Sequence, residues 1–316
     1  MHIVIYGTGG VGGYFGARLA QAGNKVTFIA RGKHLEAIQK NGLKLKSPKG
    51  DYLVFPANAT ANIAEITDID LILVCVKTWQ LEAAAKEINQ VLNKRTTVIS
   101  LLNGVNNAEV LAAIIDKKHV LGGLCKVVSK IEDFGIIKHI SFEPTIVFGE
   151  LDNTKTDRAI LLEKVFLNAG FTTKLADDIQ TEIWSKFLFI STISGIGALT
   201  RSPVGEIIAS PQLKKMMSQT AEEIVAVAKA KGVHLSNNLV EQQFKIIESQ
   251  PYNTTSSLQR DMMEGKPSEL EAQTGTIVKM GTELGIPTPV NAFIYHCLLP
   301  QEKKSQVRSQ KTEDRS

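Results

Sequence analysis

Two stretches hold residues whose types and spacing could do chemistry. Gly7-Thr8-Gly9-Gly10-Val11-Gly12 is a GxGxxG. Where such a loop follows a strand and opens a helix, it cradles a dinucleotide pyrophosphate. Gly7 permits the tight turn, Gly9 lets backbone approach the phosphates, and Gly12 lets helix and strand pack closely. The helix N-terminus adds amide donors and a positive dipole end. The plainer alternative is a glycine-rich turn in an unliganded domain. The second stretch is Ile183-Trp184-Ser185-Lys186-Phe187-Leu188-Phe189-Ile190-Ser191. On a helix, positions three, four and seven apart share a face. Around Lys186 those positions hold Ile183, Phe189, Ile190 and Ile193, and only Glu182 offers a charge. A lysine there either snorkels to water, pairing with Glu182, or serves a site that needs it.

The elements around these stretches decide what they can do. His2–Tyr6 reads as a strand, Gly12–Ala22 as a helix and Lys25–Ala30 as a second strand. That is the setting a dinucleotide-binding GxGxxG requires. Leu71–Val76 and Thr97–Leu102 are continuous apolar runs, as in strands buried on both faces. Val120–Val128 is a further strand candidate, and His34–Asn41, Leu81–Leu92 and Ala108–Asp116 read as the helices between. Strands alternating with helices predict a doubly wound parallel sheet. Ile136–Ile140, Thr145–Gly149 and Thr172–Leu175 read as strands completing this domain.

From about residue 176 the pattern turns helical: Ile179–Ser194, Pro203–Ser210, Pro211–Lys231, Asn238–Ser249 and Glu269–Leu284. Ser202-Pro203 and Ser210-Pro211 each offer an N-cap with proline at the first helical position. The expected organisation is an α/β domain over 1–175, an all-α domain over 176–300, and a polar, disordered tail over 301–316.

Other residues gain interest from placement. An NAD site usually carries Asp or Glu at the end of the second strand. Here Phe28-Ile29-Ala30-Arg31-Gly32-Lys33 has no acid, and the guanidinium of Arg31 suits a 2′-phosphate. The reading is NADP(H). Lys77 follows one buried strand and Asn103-Gly104 the next, at the carboxyl edge where ligands bind such sheets. Both also read as ordinary loop residues. Ser268 and Glu271 fit a capping box, which makes Glu269 the first helical residue. Neither Glu269 nor Ser257 would be selected from its surroundings alone.

The bulk properties agree with a soluble protein. The net charge is +4, and the tail contributes through five basic residues against three acidic ones. That excess reads as a solvated end, and no basic, aromatic-interleaved patch points to nucleic acid. Cys75, Cys125 and Cys297 are isolated, without disulfide or zinc spacing, and no histidine pair has metal-ligand spacing. The N-terminal apolar run ends at once in glycines, unlike a signal peptide, and no run of ~18 apolar residues suggests a membrane span. A reduced, cytoplasmic protein is expected. A helical second domain could form a homodimer, but no surface for one can be located.

GTGGVG, Arg31, VKTWQ, LLNGV, EIWSKF and SSLQRDMMEGKPSEL occur in that order. Together they resemble the ketopantoate reductase (2-dehydropantoate 2-reductase) family over about residues 1–295. The resemblance implies a Rossmann-type NADP domain, an α-helical domain and an active site in the cleft between them. It implies hydride transfer from NADPH to a branched 2-oxo acid, in pantothenate biosynthesis. Lys186 matches the family's catalytic lysine and Glu269 its active-site glutamate, which orients the lysine or holds the cofactor. Ser257 and Asn103 match substrate contacts, and Asn103 and the strand-edge Lys77 match cofactor contacts. A lysine flanked by apolar side chains is partly desolvated, which eases proton donation.

The match departs at three positions. The family's asparagines four and eight residues after the lysine are here Ile190 and Ser194, and a third, in a P-N-G-E segment, is Val204. The substrate-facing positions 190 and 194 therefore lose amides that would hydrogen-bond a polar substrate. Three readings stay open: reduction of ketopantoate, reduction of a more apolar oxo acid, or an NADP(H)-binding sensor without turnover.

Overall fold

A computed structural model describes residues 1–313, with backbone alone at positions 142 and 309–313. The chain divides into two compact units, Met1–Gln180 and Thr181–Ser316. The expected boundary lay at 175/176. The division instead falls just inside a helix that begins at Ile179.

The first unit runs β1 (His2–Tyr6), α1 (Gly10–Gln21), β2 (Lys25–Ile29), α2 (Gly32–Asn41), β3 (Leu43–Lys46), β4 (Tyr52–Val54), β5 (Asn58–Thr60) and β6 (Leu71–Val74). It continues with α3 (Leu81–Asn89), β7 (Thr97–Ser100), α4 (Asn107–Ala112), β8 (Val120–Asp133), β9 (Ile136–Glu150), α5 (Asp157–Asn168) and β10 (Thr172–Leu175). One ten-stranded sheet has the order β4-β3-β9-β8-β7-β6-β1-β2-β5, with β10 on β9. The pairs β3–β4 and β8–β9 are antiparallel and the others parallel, so the sheet is mixed rather than wholly parallel. The two strands expected at 136–140 and 145–149 are one long strand, β9.

Residues of the central strands alternate between two cores, as the two-residue period of a strand requires. Ile3 and Ile5 of β1, with Leu71 and Leu73 of β6, pack with Phe15 and Leu19 of α1 and Phe166 of α5. Val4, Ile72, Val74 and Val98 pack with Leu81, Ala84 and Ile88 of α3 and Leu111 of α4. Each such side chain stabilises by roughly 1.5–3 kcal/mol relative to exposure. Covering both faces is why these strands read as unbroken apolar runs.

The second unit is helical: α6 (Ile179–Thr200), α7 (Val204–Ala209), α8 (Pro211–Ala230), α9 (Leu239–Glu248), α10 (Ser257–Met263), α11 (Thr276–Leu284) and α12 (Pro289–Glu313). A π-helical turn, Glu271–Gly275, leads into α11. Ser210 caps α8, accepting from the Leu213 amide, with Pro211 in its first turn. Ser202 does not cap α7; Pro203 holds that position. Ile193 and Ile196 of α6 pack with Ile207, Met217, Leu258 and Ile294 in one core. α6 is long and apolar enough to cross a membrane, but 67 % of its apolar window is buried, as in the core helix of a soluble protein.

The expected disordered tail is a correction. Residues 301–313 continue α12 as helix, while 314–316 lie outside the described residues. The segment lacks an apolar stripe because it is held by polar contacts. Glu302, 1 % exposed, accepts from the Ser268 hydroxyl at 2.6 Å and the Ser268 amide at 3.1 Å. The expected capping box is not made: the helical segment starts at Glu271 with Leu270 as its N-cap, so Ser268 does not cap it and Glu269 is not its first residue. The Ser268 hydroxyl accepts from the Leu270 amide and not from that of Glu271, and Glu302 takes the bond assigned to the Glu271 side chain, which accepts from Tyr295 instead. Glu302→Ala leaves a buried amide and hydroxyl without their acceptor and should destabilise by about 1–3 kcal/mol. Urea unfolding reads this directly; a change below about 0.5 kcal/mol, typical of surface positions, would show that the contact is dispensable.

Candidate functional site

Strand register places the first group of site residues on one edge of the sheet. Tyr6 pairs with Ile29 on one side and Val74 on the other, and Val74 pairs with Ser100. The chain therefore leaves β1, β2, β6 and β7 at the same carboxyl edge. Gly7–Gly12, Arg31, Lys77 and Asn103 all follow within a few residues.

The glycine loop is shaped by close approach. Gly7 has φ +104°, and a side chain there would meet the Cys75–Val76 peptide at 2.9 Å. A Cβ on Gly12 would lie 2.1 Å from the Gly7 carbonyl oxygen, and one on Gly10 would lie 2.3 Å from that of Ser129. Above Gly9 the space is open, with nothing within 4 Å. Gly9 is the N-cap of α1, and no side chain caps that helix end. Open space over uncapped amides at a helix N-terminus suits a dinucleotide pyrophosphate. Val11, in the first turn of α1, is half-buried against the core. Thr8 is buried, and its hydroxyl donates to the Ile29 carbonyl at 2.9 Å, tying the loop to β2.

A residue that sequence reasoning passed over braces this loop. His34 of α2 is buried, and its Nε2 donates to the Thr8 carbonyl at 2.9 Å. Its Nδ1 accepts from the Gly135 amide at 3.0 Å, in the β8–β9 turn. Accepting an amide proton requires a neutral ring. Burial pushes the His34 pKa down, partly opposed by the bond to Thr8.

The remaining residues of this edge follow β2, β6 and β7. Arg31 is the N-cap of α2, and its guanidinium lies 3.7 Å from Glu87 of α3. The Lys77 ammonium stands 5.7 Å from the ring centre of Trp79, and its backbone amide donates to Gln80. Asn103 is half-buried, in a turn where Gly104 has φ +117°. Asn107, buried and also passed over, holds that turn by donating to the carbonyls of Leu102 and Asn103.

The second group lies in the helical unit. Lys186 is half-buried on α6, next to fully buried Phe187 and Leu188. The four-residue spacing puts Ile190, half-buried, and Ser194, buried, on its stripe. The neighbouring Ser191 and Thr192 hydroxyls are buried, with no hydrogen-bond partner among the described residues. Two glycines let other segments close on α6. A Cβ on Gly195 would lie 3.1 Å from Ile294 of α12, and one on Gly197 would lie 2.7 Å from Gln259 of α10. Glu269, 7 % exposed, directly precedes Leu270, which shares a core with Ile193 of α6, and Ser257 is exposed in the first turn of α10. Ser256 caps α10. Val204 packs in the core of this unit. A π-turn inside a helix often marks a functional segment.

Comparison with known proteins decides the family. Residues 3–153 match the family model described as Ketopantoate reductase PanE/ApbA, and residues 178–302 match its C-terminal counterpart. The chain belongs to the ketopantoate reductase family. It is an oxidoreductase of the kind that uses a nicotinamide dinucleotide. It is 33 % identical to a 2-dehydropantoate 2-reductase of Archaeoglobus fulgidus, over 92 % of this chain and 94 % of that one. It is 32 % identical to an uncharacterized oxidoreductase, YkpB, of Bacillus subtilis, over 93 % and 97 %. The crystal structure of a PanE/ApbA family ketopantoate reductase from Ralstonia eutropha superposes with a TM-score of 0.89 at 31 % identity, covering 97 % of this chain and all of that one.

The histidine bracing yields a pH prediction. His34 and His2 are both lowered from 6.5, His2 chiefly by burial. Between the folded value and 6.5 the unfolded chain binds more protons, so stability rises with pH there. The contribution is present above about 6.5 and lost as pH falls through the folded value. His34→Gln should flatten the decline in unfolding free energy between pH 7 and pH 5. An unchanged slope in chemical denaturation would remove His34 from this role.

Proposed function

We propose that the protein reduces a 2-oxo acid to the 2-hydroxy acid with NADPH, and that ketopantoate is the default substrate, giving pantoate. The observation that carries this reading is Lys186: a half-buried lysine between buried apolar residues, with Ile190 and Ser194 on its stripe. When bound, the dinucleotide supplies a hydride to the carbonyl carbon. Negative charge then develops on the carbonyl oxygen. The Lys186 ammonium stabilises that charge and gives the oxygen a proton. Glu269, buried in a segment that packs on α6, orients the lysine or holds the cofactor. Ser257, Asn103, Ile190 and Ser194 contact the substrate. In the first unit, the amides of Gly9–Gly12 hold the pyrophosphate, and Lys77 and Asn103 contact the cofactor. Arg31 takes the 2′-phosphate, which is the basis for NADPH over NADH. A protein of this kind works in the cytoplasm.

A second reading is supported by Ile190. An apolar side chain where family members place an amide favours an oxo acid with a more apolar tail. Val204 supports it less, because it packs in the core of its own unit.

Two measurements test these assignments. NADPH oxidation with ketopantoate and a panel of straight and branched 2-oxo acids should show turnover that Lys186→Ala lowers by about 10²–10⁴-fold in kcat. Turnover that survives Lys186→Ala would exclude the proton-donor role, and a best kcat/KM with another acid would replace ketopantoate. Arg31→Ala should weaken NADPH binding by about 10- to 100-fold, the worth of charge-assisted hydrogen bonds, and leave NADH nearly unchanged. Equal weakening of both would withdraw the 2′-phosphate from Arg31.

A further inference from the structure

The end of β2 lacks the acid that an NAD site carries there, but the fold brings one to the same place. Glu87 lies on α3, and its Oε1 stands 3.7 Å from the Arg31 guanidinium. Its other oxygen accepts a short hydrogen bond from the Tyr6 hydroxyl, at the last residue of β1. We propose that Glu87 is a specificity-determining residue, supplying to the adenosine ribose the carboxylate missing from β2 and setting the choice between NADPH and NADH jointly with Arg31. The inference rests on the reading that Arg31 faces the ribose 2′ position.

The two ends of the carboxylate do different work. Tyr6 is buried in the core beside α3, and burial, then the bond to Glu87, pushes its pKa above the ordinary tyrosine value. Its hydroxyl stays protonated and can only donate to Glu87 as long as the carboxylate is ionised. One oxygen is thereby fixed, and the other is directed at Arg31. Arg31 and Glu87 are 69 % and 42 % exposed, so their ion pair is worth no more than about 1 kcal/mol and does not lock the arginine. A 2′-phosphate must share or take the guanidinium from Glu87, against like-charge repulsion. A free 2′-hydroxyl meets no repulsion and can donate to the carboxylate. One pair of side chains thus offers a partner to each nucleotide, and the preference for NADPH is narrower than Arg31 alone would give.

Equilibrium binding of NADPH and of NADH, by titration calorimetry on the purified full chain, tests this without turnover. Glu87→Gln should tighten NADPH and weaken NADH by about 3- to 5-fold each, the scale of one exposed charge pair. Its unfolding midpoint should match the parent, since the side chain is half-exposed and the change isosteric. Weaker NADPH binding in Glu87→Gln would overturn the proposal, because Glu87 would then be positioning Arg31 for the phosphate. No change with either nucleotide, or the same change with both, would also overturn it. Arg31→Ala separates the two levels. If it weakens NADPH selectively while Glu87→Gln is silent, only the role of Glu87 fails. If Arg31→Ala leaves NADPH binding intact, the reading of Arg31 on which the proposal rests fails first.

Discussion

The register of β1 between β2 and β6 is the constraint on which the nucleotide half of the molecule depends. Tyr6 is paired with Ile29 and with Val74, so three strands end together. A one-residue slip of β1 would turn Ile3 and Ile5 into the α3 side and Val4 and Tyr6 into the α1 side. Both cores would then be wrong at once. Because each face is filled, the register is fixed by packing, and the edge where the chain leaves the strands is fixed with it. Gly7 turns there only because its φ is positive and no side chain meets the Cys75–Val76 peptide. The loop is a consequence of strand pairing before it is a ligand site.

In the helical unit the equivalent constraint is the burial of α6. A helix enclosed on most sides cannot show a strong apolar face, and this one is apolar nearly all round. Its polar positions stand out for that reason. Lys186 and Ser194 lie on one stripe, and Ser191 and Thr192 are buried hydroxyls without a partner among the described residues. Buried polar groups left unsatisfied by the protein cost free energy. Their retention on one helix is intelligible if the helix serves chemistry as well as packing. Gly195 and Gly197 have a structural part in this, since side chains there would crowd Ile294 and Gln259.

What was legible in the sequence follows from the range over which each signal acts. β1, β6 and β7 are continuous apolar runs, and the loop after β1 has glycines at fixed spacing, so both could be read locally. β3, β4 and β5 could not. They are three or four residues long, partly exposed, and exist as strands because a neighbour pairs with them. α5 and α10 also escaped notice, although Thr156 and Ser256 cap them. The tail failed for the opposite reason. Its inward positions are Glu302 and Ser305, and a stripe of polar residues held by hydrogen bonds carries no hydrophobic period. Lys186 was visible as an anomaly, but its role came from resemblance. His34 was invisible, since its two partners lie 26 and 101 residues away.

The same limit of range governs how cofactor preference is read. A strand-end motif asks which residue follows β2, and Arg31 answers for a phosphate. It cannot see that a carboxylate reaches the same guanidinium from α3, or that Tyr6, 81 residues before Glu87, holds it there. The charge a ligand meets is the sum of what the fold brings to one place, whatever its order in the chain. The exposed Arg31–Glu87 ion pair contributes little to stability; it is the bond from the buried Tyr6 hydroxyl that ties Glu87 to the fold. On the proposed reading of Arg31, the charge of Glu87 matters more against a 2′-phosphate that competes for the same guanidinium. On that reading the Arg31–Glu87 contact belongs to the nucleotide site, and the Tyr6–Glu87 bond to the fold that presents it.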